Sequence, residues 1–509
     1  MSPAGSVSPT DYTFQGICSS SCAVAPALTL TSITPATGPA DSQNQVVLHG
    51  TGLTLATQVK LSQNGSQVGS GIQPVSVSPD GTSLQASLST HGLAPGSYDL
   101  ALAGVGYTVG TPSYGYIPGA YTVTAVPVPP VPKPRNLMTP LAPSRILDTR
   151  SGLGAAKARV GANRLVRLQV DGVAGVPAEG VTAVVLNVTA VGPTSAGFIT
   201  VFPDGRNLPT ASNLNFSAGQ TIPNLVVVPV LNGKVDLYNG SKGTVDLIAD
   251  ITAYYSANGT GSALNTVGPS RILDTRSGLG AAKARVGANR LVRLQVDGVA
   301  GVPAEGVTAV VLNVTAVGPT SAGFITVFPD GRNLPTASNL NFSAGQTIPN
   351  LVVVPVLNGK VDLYNGSKGT VDLIADITAY YTAGSSGSAL TSVGPSRILD
   401  TRSGLGARKA AVGARQLVRL QVAGVAGVPA KGVTAVIINV TVVGPASGGF
   451  ITVFPDGRNL PTASNLNFSA GQTIPNLVVV PVIDGKVAFY NGSPGTVQIV
   501  ADLAGYYTA

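Results

Sequence analysis

The sequence predicts an all-β protein, with a small β-sandwich followed by three tandem β-sandwich or jelly-roll-like modules arranged as elongated beads on a string. Three observations carry this expectation. First, Pro143 to Tyr255 recurs residue for residue as Pro269 to Tyr381, and a diverged third copy runs to Ala509. The spacing of Arg145, Arg271 and Arg397 is 126 residues, which is domain-sized rather than the roughly 20–50 residues of a solenoid repeat. Second, charged residues are only 10% of the chain, against about 25% in an average domain. Gly (63) and Pro (38) are abundant, a composition that favours turns and strands over helices. Third, apolar residues alternate with a period of two, and no stretch sustains a helical period with caps.

In chain order, residues 1–28 read as an extended arm of low complexity. Cys18 and Cys22 lie within it and could close a local disulfide in an oxidising compartment; with no histidine nearby they make a poor zinc site. Residues 29–125 read as one sandwich, with strands at Gln45–Leu48, Gln58–Leu61, Leu84–Leu88, Tyr98–Leu102 and Tyr121–Thr124. Residues 126–136 follow, with Pro127, Pro129, Pro130, Pro132 and Pro134 predicting a semi-rigid polyproline rod. The modules occupy 137–256, 263–382 and 389–509, and the Gly/Ser-rich links between them are expected to be short and flexible.

Within a module, Val166, Leu168 and Val170 mark one strand, and Val184, Leu186 and Val188 another. Val245, Leu247, Ala249, Ile251 and Ala253 mark a third. Phe198–Phe202 and Val235–Tyr238 add two more. Leu225–Val230 is apolar on both faces, as a central buried strand would be, and Pro229 within it implies a bulge or strand end. Each module is expected to close on itself with protected edges, since identical neighbours could otherwise pair strands with one another.

The net charge of +8 resides in the repeats and is highest in the third copy. It suits either an anionic partner, such as a wall polymer, or a solvated basic surface. Lys157, Arg159, Arg164 and Arg167 crowd one loop and strand, as do Arg408, Lys409, Arg415 and Arg419. No groove-reading helix or aromatic–basic sheet pattern points to nucleic acid. No apolar run of about 18 residues predicts a membrane span. The first 59 residues contain no Lys or Arg, so no signal-peptide n-region is read there. The expectation is the mature form of an exported protein, or release by another route such as lysis.

Candidate ligand contacts recur in every copy. Arg145, Asp148 and Arg150, with Arg271, Asp274, Arg276 and Arg397, Asp400, Arg402, could hold an anion or sugar hydroxyls; the alternative is an internal Arg–Asp clamp. Asn213 and Asn215, Asn339 and Asn341, and Asn465 and Asn467 could read hydroxyls or satisfy a neighbouring loop. Tyr254, Tyr380 and Tyr506 could stack on sugar rings, although the chain has no Trp. Tyr255 and Phe216 are expected in the core, and Pro203-Asp204-Gly205 as a turn with too few acids for calcium.

The inventory argues against an enzyme. His49 and His91 are the only histidines and both precede the repeats, which also lack cysteine. Asp236 and Asp246 become Ala488 and Gln498 in the third copy. No catalytic residue, cofactor or metal is therefore assigned.

Two resemblances add to this reading. Ile33-Thr34-Pro35-Ala36-Thr37-Gly38-Pro39, Val46 to Leu53 and Leu93-Ala94-Pro95-Gly96-Ser97-Tyr98 resemble the IPT/TIG family, which implies an immunoglobulin-like sandwich serving as spacer or interaction domain. The signature Arg145-Ile146-Leu147-Asp148-Thr149-Arg150, with Phe198–Pro203, Ser212–Phe216, Gly219-Gln220-Thr221 and Tyr254-Tyr255, resembles tandem β-modules of actinobacterial secreted and cell-surface proteins. That resemblance implies extracellular display and transfers no ligand or catalytic residue. The expected function is non-enzymatic, multivalent binding to a cell-wall or surface polysaccharide or an anionic wall polymer, outside the cell or on its surface. The alternative is a fibre or spike subunit of a phage virion or other extracellular assembly, with self-assembly through the arm and first sandwich.

Overall fold

The computed structural model describes residues 28–54, 57–103, 116–125, 135–257, 260–384 and 386–509. Cys18, Cys22, the arm, most of the Tyr/Gly-rich loop and the polyproline run lie outside the described residues. The chain divides into two units, Met1–Val131 and Pro132–Ala509. All regular structure among the described residues is β-strand, as the period-two patterning predicts. None of the described segments is a helix long and apolar enough to cross a membrane.

The first unit contains β1 (Thr29–Thr34), β2 (Thr37–Pro39), β3 (Gln43–Thr51), β4 (Gln58–Gln63), β5 (Ser66–Val77), β6 (Ser83–Ser89), β7 (Gly96–Ala103) and β8 (Tyr116–Thr124). They hydrogen-bond in the order β1-β3-β6-β5-β4-β7-β8-β2, and only β2–β8 is parallel. Alternate residues of β3, β6 and β7 (Val46, Leu48, Leu84, Ala86, Leu88, Tyr98, Leu100) turn inward onto Tyr121 to form its core. The sequence marked five of these strands. β5 was missed because Gly69, Gly71 and Pro74 interrupt its pattern.

The first repeat contains β9 (Leu137–Asp148), β10 (Leu165–Gln169), β11 (Val181–Val191), β12 (Gly197–Pro203), β13 (Leu214–Phe216), β14 (Thr221–Pro229), β15 (Lys234–Asn239) and β16 (Asp246–Ser256). One sheet runs β14-β11-β16-β9 and the other β10-β15-β12-β13. Counted within the module, these orders are 6-3-8-1 and 2-7-4-5, the two Greek-key sheets of a jelly roll. The second copy repeats them as β17 (Ser262–Asp274) to β24 (Asp372–Ala383), and the third as β25 (Ala389–Asp400) to β32 (Gln498–Thr508). Side chains such as Leu186, Val188, Val226, Leu237 and Leu247 fill the space between the two sheets. Phe216 is in that core as expected, and Pro229 ends its strand.

The repeats are sandwiches, but they are not beads on a string. In β11, Val184, Leu186 and Val188 face the sandwich interior, yet Ala183 and Val185 on the opposite face are just as buried. With Met138, Leu225, Val227, Ala253 and Tyr255 they join their counterparts from both other copies in a second apolar core. The sheet containing β14-β11-β16-β9 is therefore covered on one face by its own partner sheet and on the other by the neighbouring modules. This accounts for the unbroken apolar runs of β11 and β14, which suit strands buried on both faces. The links are likewise not free: the Gly384 amide donates to the Gly261 carbonyl at 2.9 Å, and that of Leu390 to the Asn136 carbonyl at 3.1 Å. The Arg135 guanidinium donates to the Gly387 carbonyl. Strand pairing otherwise stays within each copy, except that β9 and β17 meet at Met138 and Ser262.

Candidate functional site

At the meeting point of the three inner sheets, the hydroxyls of Tyr255, Tyr381 and Tyr507 form a triangle with sides of 2.8, 2.7 and 2.8 Å. Each can donate to one neighbour and accept from the other, so three buried hydroxyls satisfy one another without water. Burial raises the Tyr255 hydroxyl to about 12 and holds Tyr381 and Tyr507 well above the usual tyrosine range.

Around this axis each junction repeats one polar relay. Between the first and second copies, the Asn187 amide donates to the Ser338 carbonyl at 2.7 Å, and Asn350 donates to the Asn187 side-chain oxygen at 2.8 Å. The Leu225 amide returns a bond to the Asn350 oxygen at 3.3 Å. Asn313, Ser464, Asn476 and Leu351 repeat it between the second and third copies. Asn439, Ser212, Asn224 and Leu477 close it between the third copy and the first. Contacts in which one surface meets a different surface on the next unit either close into a ring or propagate; here three steps close.

The signature arginine belongs to this construction. Arg145 lies across from Asp250 in the β9–β16 ladder and pairs with it at 2.9 Å. It also reaches Asp148 at 3.4 Å and donates to the Thr336 carbonyl of the next copy at 3.2 Å. Arg271 and Arg397 do the same with Asp376 and Thr462, and with Asp502 and Thr210. Arg150 folds back onto Asp148 with two bonds of 2.9 and 2.7 Å, as Arg276 does onto Asp274 and Arg402 onto Asp400. The hairpin that allows this needs Gly154 at φ +69°, because a Cβ there would lie 2.2 Å from the Ile146 carbonyl oxygen. The hydrogen bonds from Arg150 hold the Asp148 carboxyl below its ordinary value. Burial pushes Asp250 up, against the opposing pull of Arg145.

Of the alternatives left open by the sequence, the geometry thus places Arg145, Asp148 and Arg150 in an Arg–Asp clamp that also reaches the adjacent copy. The Asn213 side chain accepts from the Val201 amide at 2.6 Å, and Asn339 and Asn465 do likewise with Val327 and Val453. Asn215 accepts from Ser212 at 3.0 Å, with Asn341 and Asn467 in the same role toward Ser338 and Ser464. Tyr254, Tyr380 and Tyr506 are half-buried against the sandwich cores, while their neighbours Tyr255, Tyr381 and Tyr507 point to the axis. Asp204 sits in its turn but is buried and paired with Arg167.

Sequence reasoning missed Asn187, Asn224 and the tyrosine triangle. The available signal was a polar residue inside an otherwise apolar buried strand, Pro223-Asn224-Leu225-Val226, which must find a partner. The third copy shows which polar groups the junctions need. Arg159 and Asp246, paired at 2.7 Å away from the axis, are jointly replaced by Ala411 and Gln498. The tyrosine triangle, the Asn relay and the Arg145-type clamp are retained in all three copies. Among the described residues no cluster of three His, Cys, Asp or Glu could hold a metal.

No family model and no curated protein matches the chain. Among solved structures, the chain is similar to one described as the atomic structure of Sulfolobus Turreted Icosahedral Virus, at 10% identity, covering 69% of this chain and 84% of that one, with a TM-score of 0.16. It is also similar to one described as the triple jelly roll fold and turret assembly in an archaeal virus, at 10% identity over 74% and 90% of the two chains and a TM-score of 0.16.

Proposed function

We propose that this chain is a non-enzymatic structural subunit of an extracellular assembly, such as a virion fibre or spike, in which one polypeptide supplies a complete threefold unit. The observation that carries this is the closed relay: Asn187–Asn350, Asn313–Asn476 and Asn439–Asn224 bond each copy to the next with the same atoms. The recurrent polar residues are spent on holding three jelly rolls together, which is what a rigid projecting block requires. The segment before the repeats, with its IPT/TIG-like sandwich, would act as spacer or attachment module. Immunogold labelling with antibodies to residues 135–509 tests this reading. Label on purified particles at symmetry-related positions supports it; label on cell envelopes with none on particles overturns it.

A second reading, multivalent binding to a cell-envelope glycan or anionic wall polymer, is favoured by one observation. Clefts with Arg206 or Arg458 at the rim open where the third copy meets the first and the second, so the unit would present one ligand site more than once. Weak sites on one rigid frame gain from avidity. Co-sedimentation of the full chain with purified cell walls at low and high salt tests it: salt-sensitive pelleting supports it, and a chain that stays in the supernatant at low salt overturns it.

A further inference from the structure

An open cleft with a volume of about 490 Å³ lies at the junction between the third copy and the first. Its half-buried walls include Pro209 and Pro229 of the first copy and Val393 and Pro395 of the third, with Arg206 and Asn207 at the rim. An equivalent open cleft of about 420 Å³ lies at the junction between the second and third copies, with Arg458 and Asn459 in the rim positions. Most arginines of the repeats are committed: Arg145, Arg150, Arg159 and Arg167 all pair with aspartates. Among the described residues, Arg206 and Arg458 make no side-chain hydrogen bond or ion pair, and both are exposed.

We propose that these two clefts bind the acidic sugar units of an anionic saccharide, with the carboxylate on Arg206 or Arg458. The assignment follows from complementarity. A guanidinium with all five donors free matches a carboxylate bidentately. The adjacent Asn207 or Asn459 amide offers a donor and an acceptor for hydroxyls. The proline and valine walls suit the C–H face of a pyranose ring, the combination of apolar lining and few polar groups found in small-ligand sites. The volumes fit one or two sugar residues. Because each cleft takes its walls from two copies, the site exists only in the assembled threefold unit. The proposal rests on the second reading above and is independent of the structural one.

Calorimetric titration of the full chain with tri-galacturonate, and in parallel with inorganic tripolyphosphate, tests it. The expected result is sugar binding at both clefts that weakens with salt. R206Q and R458Q should each remove one site, and the double variant both, with thermal unfolding unchanged because neither arginine is paired. Undiminished binding by the double variant, or no binding at about 10 mM trisaccharide, well beyond the millimolar range of a weak single site, overturns the proposal. Tighter binding of tripolyphosphate overturns the sugar assignment. Particles or self-assembled units that form normally with R206Q/R458Q show that loss of binding leaves the structural reading standing.

Discussion

The hydroxyl of Tyr255 lies 2.8 Å from that of Tyr381, a residue 126 positions along the chain and identical in context. The pair converts a tandem repeat into a ring, because a third hydroxyl, that of Tyr507, bonds to both. Replacing one tyrosine by Phe leaves the other two still bonded to each other. A single Tyr→Phe change breaks two of the three bonds and should cost about 1–3 kcal/mol, at a net value of roughly 1 kcal/mol per hydrogen bond. The triple change leaves no orphaned hydroxyl, so its cost should fall well short of the sum of three singles. Urea unfolding of the parent, the three single variants and the triple variant measures this; strict additivity would show that the hydroxyls do not act as one unit.

An isolated module should not behave as a soluble monomer. Residues 137–256 alone would expose Ala183, Val185, Leu225, Val227 and Tyr255. Burying each large apolar side chain contributes about 1.5–3 kcal/mol, so the exposed face is a strong drive to associate. Light scattering should find this fragment as trimers or larger aggregates. A stable monomer at micromolar concentration would contradict the fused arrangement. The intact repeat unit should accordingly unfold in one transition rather than three.

Asn224 makes three bonds, two of them to the third copy: its amide donates to the Asn439 side chain and to the Asn213 carbonyl of its own copy, and its oxygen accepts from the Leu477 amide. Asn224→Leu orphans all three partners at a buried site, at about 1–3 kcal/mol each. Calorimetry should show a substantially lower Tm for the full chain. Asn224→Asp should also destabilise it, because a carboxylate cannot donate to Asn439 or Asn213. A Tm unchanged within a degree would remove the relay from any role in stability.

The carboxylates of the clamp give acid pH two opposing effects. Asp148, Asp274 and Asp400 are held below the ordinary value of 3.8 chiefly by Arg150, Arg276 and Arg402. A depressed carboxylate contributes stability above its unfolded value and loses it as pH falls toward its folded value. Asp250, Asp376 and Asp502 are raised by burial and run the other way, giving up stability as pH climbs through their folded values. D148N/D274N/D400N should therefore lose the fall in Tm on acidification below about pH 4, and D250N/D376N/D502N should steepen it. A parent chain and triple variants with superimposable Tm–pH curves would show that these aspartates do not set acid stability.

Much of the jelly roll was legible in the sequence, because its alternating strands report directly which residues share a face. β9 was harder, since Pro140 and Pro143 break its pattern, and β13 is only three residues long. The ring was not legible for a physical reason. A strand that is apolar on both faces reads the same whether its second cover belongs to its own module or to the next. Leu225–Val230 was thus correctly read as buried, with the wrong cover inferred. The Arg145 and Asp148 pair was legible as a clamp or a ligand site, but the Thr336 carbonyl it reaches lies in another repeat, beyond any local pattern.

The joint replacement of Arg159 and Asp246 by Ala411 and Gln498 has a wider consequence. A homotrimer must accept every substitution three times over, so its outer rim is identical on all sides. Here the sectors are encoded separately, and one of them lacks a charged pair that the other two have. A block with near-threefold bonding inside and unequal flanks outside can dock in a single rotational setting against a neighbour that lacks threefold symmetry.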